Sequence, residues 1–216
     1  PTKRWNASSS TTDATRFASY YWSNSGAYKG RDLNYACGAP VMGLTASRTA
    51  VRAALGKMAL PPPAGGTTSN LGLAWGWRTL SPLWRGLWGG ATPAKLPLDY
   101  GTNQMVKVAV ILTDGDNMLG VEHYSGYGPT TSLGWSNYTA TLNTRLTEVC
   151  NQMKAADKNI QIFSIIFGKT PSTTIRNLFR GCATDAKMYY YAPTNAELAS
   201  AFRSIGGQLA SLRIVE

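Results

Sequence analysis

Acidic residues are scarce in this sequence: 11 Asp and Glu stand against 21 Lys and Arg in 216 residues, a formal net charge of +10. Charged residues make up 15% of the chain, well under the roughly 25% of an ordinary soluble domain. A surface this basic favours anionic partners, whether phospholipid, acidic polymer, acidic protein or nucleic acid. No group of Lys or Arg is dense enough to single out nucleic acid, which is therefore not expected as a partner. Histidine occurs once, at His123, and the 3 cysteines (Cys37, Cys150, Cys182) form no Cys-x-x-Cys pair, so the usual ligand set of a zinc site is missing. An odd cysteine count leaves one without a partner inside this sequence. Buried thiols are the plainest reading of these residues. No apolar run approaches the roughly 18 residues that cross a membrane, and no leader peptide is visible. The sequence opens on Pro1 rather than Met, as expected of a fragment or a processed product.

What is present is a substantial apolar content of 44%, enough for one domain with a real core, and 7 Trp with 11 Tyr, which foretell an aromatic surface or interface. The chain is organised around Val106-Lys107-Val108-Ala109-Val110-Ile111-Leu112-Thr113-Asp114-Gly115-Asp116-Asn117. An aliphatic, β-branched run that breaks into acid and glycine predicts a strand buried on both faces. Parallel sheets are the usual home of such strands, and ligands gather at their carboxyl ends. Asp114 is the carboxylate delivered to that edge. Read more plainly, Asp-Gly-Asp-Asn is a polar turn.

Residues 1–45 are rich in Ser, Thr, Gly and Tyr without sustained periodicity and read as an irregular segment; residues 46–216 read as the domain. The first helix is expected over Thr45–Leu60, capped by Thr45 or Ser47, with Val51, Leu55 and Met58 on one face. Prolines 61–63 end it. A turn loaded with hydroxyls, Gly65-Gly66-Thr67-Thr68-Ser69-Asn70, then leads into a helix over Leu71–Leu80. That helix is apolar on more than one side and is expected to be buried. Its N-terminus would aim hydroxyls and free N–H groups at one spot. Trp84 and Trp88 flank Arg85 and suit a partner surface or packing over the sheet edge. Residues 118–139 form a long loop carrying His123, Tyr124, Tyr127 and Trp135, and loops of that length are usually functional or mobile. Downstream, helix Thr141–Ala156, strand Ile160–Phe167, helix Ser172–Ala183, strand Lys187–Tyr191 and helix Asn195–Leu212 alternate. The alternation predicts an α/β fold with a mostly parallel central sheet, right-handed crossovers and helices on both faces.

Gly65-Gly66-Thr67 placed upstream of Leu112-Thr113-Asp114-Gly115 resembles the pairing that von Willebrand factor A domains arrange around a divalent metal. Further stretches narrow the resemblance: Gly72-Leu73-Ala74-Trp75-Gly76-Trp77-Arg78-Thr79-Leu80-Ser81-Pro82, then Leu178-Phe179-Arg180-Gly181-Cys182-Ala183 before Tyr189-Tyr190-Tyr191-Ala192, and Glu197-Leu198 with Phe202-Arg203-Ser204-Ile205. Together they resemble the carboxyl-terminal part of TadG-like pilus-assembly proteins, over about residues 37 to 215. The resemblance implies a non-enzymatic module of a tight-adherence pilus or envelope apparatus. It implies a place in the periplasm or on the extracellular face, anchored to the membrane by an upstream segment. It also implies a metal edge in which Thr67 gives a hydroxyl and Asp114 a carboxylate to Mg²⁺ or Ca²⁺.

The chain departs from the family in one respect. The first strand of such domains ends in Asp-x-Ser-x-Ser, and nothing in residues 1–60 matches it. The domain is thus expected to lack its first strand, to bind metal weakly, and to receive the missing strand from an upstream segment or another chain. An envelope location makes disulfides durable. Cys150 and Cys182 on consecutive helices become candidates for a bridge, leaving Cys37 for a partner outside this sequence.

The leading expectation is a binding and assembly module whose protein contacts involve Asp116, Asn117, Trp84, Trp88, Tyr124, Tyr127 and Trp135, with anionic lipid or polymer contact through the basic surface. The alternative is a structural subunit of a surface filament or envelope assembly with a degenerate metal site. A hydrolase using Asp114 or Asp116 with His123 comes third, because no nucleophile has a partner in reach.

Overall fold

The computed structural model describes residues 39–58, 66–118, 124–125, 128–129 and 138–211, which belong to the unit Ala39–Glu216. Helix α1 (Arg48–Gly56) begins where Ser47 caps it, the Ser47 hydroxyl accepting from Ala50 N–H at 3.2 Å. None of its residues is buried. Leu55 and Met58, on the face expected to pack, are 58% and 69% exposed. Helix α2 (Ser69–Leu80) ends before Pro82, which opens a 3-10 turn at Pro82–Trp84. The expectation of a buried helix is corrected here: α2 buries Asn70, Leu73 and Leu80, while Trp75 and Trp77 are half-buried. Trp77 packs against the larger core, and its indole N–H donates to the Tyr100 hydroxyl at 2.9 Å.

Strand β1 (Val108–Thr113) pairs in parallel with β4 (Gln161–Phe167), from Val108 opposite Gln161 to Thr113 opposite Ile166. Strand β5 (Tyr189–Ala192) pairs in parallel with the other side of β4, from Ser164 opposite Tyr189 to Phe167 opposite Ala192. The sheet order is β1-β4-β5. Between β1 and β4, strands β2 (Tyr124–Ser125) and β3 (Gly128–Pro129) form a small antiparallel pair, followed by helix α3 (Tyr138–Lys154). Helices α4 (Thr173–Cys182) and α5 (Asn195–Ser211) follow β4 and β5. The described residues thus form an α/β fold built on a three-stranded parallel sheet.

Alternate residues of β4 enter different cores, as the two-residue period of a strand requires. Ile162 and Ile166 join Leu73 of α2, Leu146 and Met153 of α3, and Ile175 and Phe179 of α4. Phe163 and Ile165 join Ala192 of β5 with Ala201 and Ile205 of α5. Ser164, fully buried, satisfies its hydroxyl by donating to the Phe179 carbonyl at 2.8 Å. A disulfide joins Cys150 of α3 to Cys182 of α4, with Cα atoms 5.2 Å apart. Both cysteines lie in the larger core, at 1% and 2% exposure.

β1 differs from the strand its composition predicts. Ala109 and Ile111 are buried, but Val110 and Leu112 are 43% and 44% exposed. Among the described residues the strand pairs with β4 alone, and the side chains of Val110 and Leu112 reach solvent. Lys107, just before it, is buried. Its ammonium donates to the Leu80 and Leu98 carbonyls, each at 2.5 Å, and lies 4.4 Å from the centre of the Tyr100 ring. Burial pushes the Lys107 pKa below its ordinary value; Asp99 opposes the shift and Arg85 adds to it.

Candidate functional site at the carboxyl end of the sheet

Where β1 ends, Thr113 folds the chain back. Its hydroxyl donates to the Gly115 carbonyl at 2.9 Å and accepts from Gly115 N–H at 3.3 Å. Asp114 is left exposed at the bend. The end of β4 passes close by: Gly168 has φ +129, and a Cβ there would lie 3.5 Å from the Asp114 carbonyl. A side chain at that position would be strained for backbone reasons alone.

The next residues tie this bend to the surrounding elements. Asp116 accepts a 2.5 Å hydrogen bond from the Ser172 hydroxyl. The same hydroxyl caps α4 by accepting from Ile175 N–H. Asn117 is buried, at 1% exposure. Its side-chain carbonyl accepts from Ser69 N–H at 2.9 Å, and its amide donates to the Asn143 side chain at 2.9 Å. Met118 N–H donates to the Thr67 carbonyl at 2.9 Å, an isolated antiparallel bridge. The bend carrying Asp114 is thereby held against the segment carrying Thr67.

These contacts revise several sequence expectations. The hydroxyls of the 65–70 turn do not converge to cap α2. Thr68, at the N-cap position, makes no side-chain cap, and the Ser69 hydroxyl is buried with no hydrogen-bond partner. The cap comes from Asn117, distant in sequence. Asn117 is accordingly a structural clasp and not an exposed contact. Asp116 remains exposed but is engaged with Ser172. Trp84 and Trp88 are half-buried and stack on each other at 5.6 Å, with Trp75 5.7 Å from Trp84. The Arg78 guanidinium lies 4.7 Å from the Trp75 ring and 5.6 Å from that of Trp84. The side chains presented outward by this turn are Leu83 and Leu87, at 86% and 70% exposure. The backbone of Tyr124 belongs to β2. His123, Tyr127, Trp135, Gly65, Cys37 and residues 1–38 of the segment 1–45 lie outside the described residues.

A hard divalent cation takes six to eight oxygen ligands. Thr67 and Asp114 offer oxygens of the right kind but too few to form a shell, and Asp116 already accepts from Ser172. Among the described residues no group of three His, Cys, Asp or Glu could hold a metal. Among the described residues, Thr67 and Asp114 thus stand without a third His, Cys, Asp or Glu beside them. Ser172 and Asn143 were not singled out by the sequence. Ser172 is legible as a helix start, but nothing local marks Asn143 as the partner of Asn117.

No protein-family model matches the chain, and no curated protein matches it. Two solved structures of proximal thread matrix protein 1 from the mussel byssus are similar to it. One has a TM-score of 0.44 and 15% identity, covering 76% of this chain and 32% of that one. The other has a TM-score of 0.45 and 15% identity, covering 81% and 32%. The chain therefore spans 32% of the length of the structures it matches.

Proposed function

We propose that this chain is a non-enzymatic binding and assembly module of a bacterial tight-adherence pilus or envelope apparatus. In this reading it has a von Willebrand factor A-type fold, with helices on both faces of the sheet, similar to the carboxyl-terminal part of TadG-like proteins. The observation that carries the reading is the pinned bend after β1. Asp116, Asn117 and Met118 are each tied down, and Asp114 alone projects, with no hydrogen bond or ion pair among the described residues. A lone carboxylate on a rigid bend suits contact with a partner. General acid–base work needs a second tuned group within reach.

Thr67 and Asp114 would hold Mg²⁺ or Ca²⁺ only weakly, with an acidic group of a protein partner completing the shell. The setting is the periplasm or the extracellular face, and anchoring is by an upstream segment. The Cys150–Cys182 bridge supports this setting, because disulfides persist in oxidising compartments. The +10 charge adds attraction to anionic lipid or polymer.

The test is affinity capture from a bacterial envelope extract by the immobilised chain, with Mg²⁺ and with EDTA. Wild type is expected to retain partners that both Asp114→Ala and EDTA release. If Asp114→Ala keeps every partner, the adhesion edge is wrong. A second reading, a structural subunit with a degenerate metal site, is favoured by the shortage of oxygen donors around Thr67 and Asp114. It predicts no Mg²⁺ or Ca²⁺ binding by calorimetry, together with concentration-dependent assembly.

A further inference from the structure

The two helices that share the disulfide also hold the bend after β1. At their carboxyl ends α3 (Tyr138–Lys154) and α4 (Thr173–Cys182) are joined twice. Cys150 is bonded to Cys182, and the Lys154 ammonium donates to the Gly181 carbonyl at 2.7 Å and the Ala183 carbonyl at 3.4 Å. Toward their amino ends each grips one residue of the bend. The Asn143 side chain of α3 accepts from the Asn117 amide at 2.9 Å, and Ser172, the N-cap of α4, donates to Asp116 at 2.5 Å. Asn143 stands seven residues before Cys150, and Ser172 ten before Cys182, which is about 10 and 15 Å along a helix. The pair is a fork, closed covalently at one end, whose two tines hold the bend that presents Asp114.

A side-chain hydrogen bond adds little net stability alone. Both grips last only while the helices keep their places. Releasing Asn117 by displacing α3, or Asp116 by displacing α4, moves one helix against the other, and such local openings are the ordinary way in which a folded chain loosens. A cross-link between the helices raises the cost of those opened states, because it removes the chain entropy they would gain. Leu146 and Met153 of α3 share the larger core with Ile175 and Phe179 of α4. That packing is available with or without the covalent bond, so the bond acts on how often the fork opens.

We infer that the Cys150–Cys182 bond is a redox-set lock on the Asp114 bend, which is held firmly in the oxidised chain and opens often in the dithiol chain. The locking step is thiol–disulfide exchange with a disulfide oxidant. The two cysteines give up two protons and two electrons as their S–S bond forms, and the S–S bond of the oxidant breaks to leave two thiols. The carboxylate edge therefore stays loose until the chain meets an oxidising compartment, and firm contact with a partner begins there. That last consequence rests on the assembly-module reading. The lock does not, because the bend's own amides report it without any partner or metal.

The test is residue-resolved hydrogen exchange on the full chain, once oxidised and once with both cysteines reduced before folding. Sucrose is added to the reduced sample until its Tm equals that of the oxidised one. Two amides report the bend: Ser69 N–H, which donates to the Asn117 side chain, and Met118 N–H, which donates to the Thr67 carbonyl. Both should exchange about tenfold or more faster in the reduced chain. The amides of Ala201 and Ile205, in the smaller core with α5, should match between the samples. Cys150→Ala with Cys182→Ala should behave as the reduced chain does and takes its place if that chain does not refold. Asn143→Ala cuts one tine, so Ser69 should then exchange at one fast rate in both redox states. Bend amides that ignore the bond overturn the proposal, as does a Ser69 response that persists in Asn143→Ala. Equal acceleration at Ala201 and Ile205 overturns it too, since the bond then supports the whole fold. So does failure of both bond-free chains to fold, which makes the bond a condition of folding.

Discussion

Asn117 uses both ends of one buried amide. Its carbonyl caps α2 and its N–H group reaches α3. Replacement by Ala strands Ser69 N–H and the Asn143 side chain together, and a buried polar group left unpaired costs about 1–3 kcal/mol. Asn117→Ala is therefore expected to lower unfolding free energy by that order in a urea titration. Lys107 is the second residue whose chemistry is set by burial. Its pKa lies below the ordinary 10.5, so just under pH 10.5 the unfolded chain holds a proton that the folded chain has released. Stability contributed by this group rises with pH through that window. A neutral amine keeps two N–H donors for the Leu80 and Leu98 carbonyls. Wild type should therefore gain stability relative to Lys107→Met as pH increases from the folded pKa toward 10.5, read from chemical denaturation at each pH.

Elements with one dominant period were legible from sequence, because burial repeats with that period. α4 places Ile175, Phe179 and Cys182 in the core together, and β4 alternates between two cores. Boundaries shifted by a few residues where caps decided them: α2 begins at Ser69 through Asn117, and β5 begins at Tyr189 after a 3-10 turn at Ala186–Met188. What an apolar run does not report is how many neighbours its strand has. That is why β1 read as an interior strand although Val110 and Leu112 are exposed, and why the α1 stripe of Val51, Leu55 and Met58 read as packed. Trp84 and Trp88 read either as a partner surface or as packing over the sheet edge, because the sequence does not show that α2 brings Trp75 and Arg78 beside Trp84. The α3–α4 pair carries a prediction of its own. The disulfide closes a span of 32 residues, for which loop-entropy models give roughly 2–4 kcal/mol. Cys150→Ala with Cys182→Ala should lose about that much, measured by urea denaturation with m fitted separately, since the freed unfolded chain exposes more surface and raises m.

For the molecule as a whole, 21 basic against 11 acidic side chains set the long-range field. Exposed charges act over about 8 Å at physiological ionic strength and about 3 Å at 1 M. The chain is expected to co-sediment with vesicles containing phosphatidylglycerol at low salt, to be released as salt rises, and to ignore phosphatidylcholine vesicles. Retention at high salt would assign the contact to apolar surface instead, where Leu83 and Leu87 stand furthest into solvent. The described residues contain no helix long and apolar enough to cross a membrane.

The bridge between Cys150 and Cys182 also works as a clock. Its sulfurs sit behind side chains of the larger core, where a dissolved reductant has no line of approach. Reduction of the folded chain must wait until α3 and α4 part. At saturating reductant the rate of thiol appearance therefore counts those partings and stops depending on reductant concentration. A chemical modification that ordinarily reports redox environment becomes, in this fold, a timer of how often the core breathes.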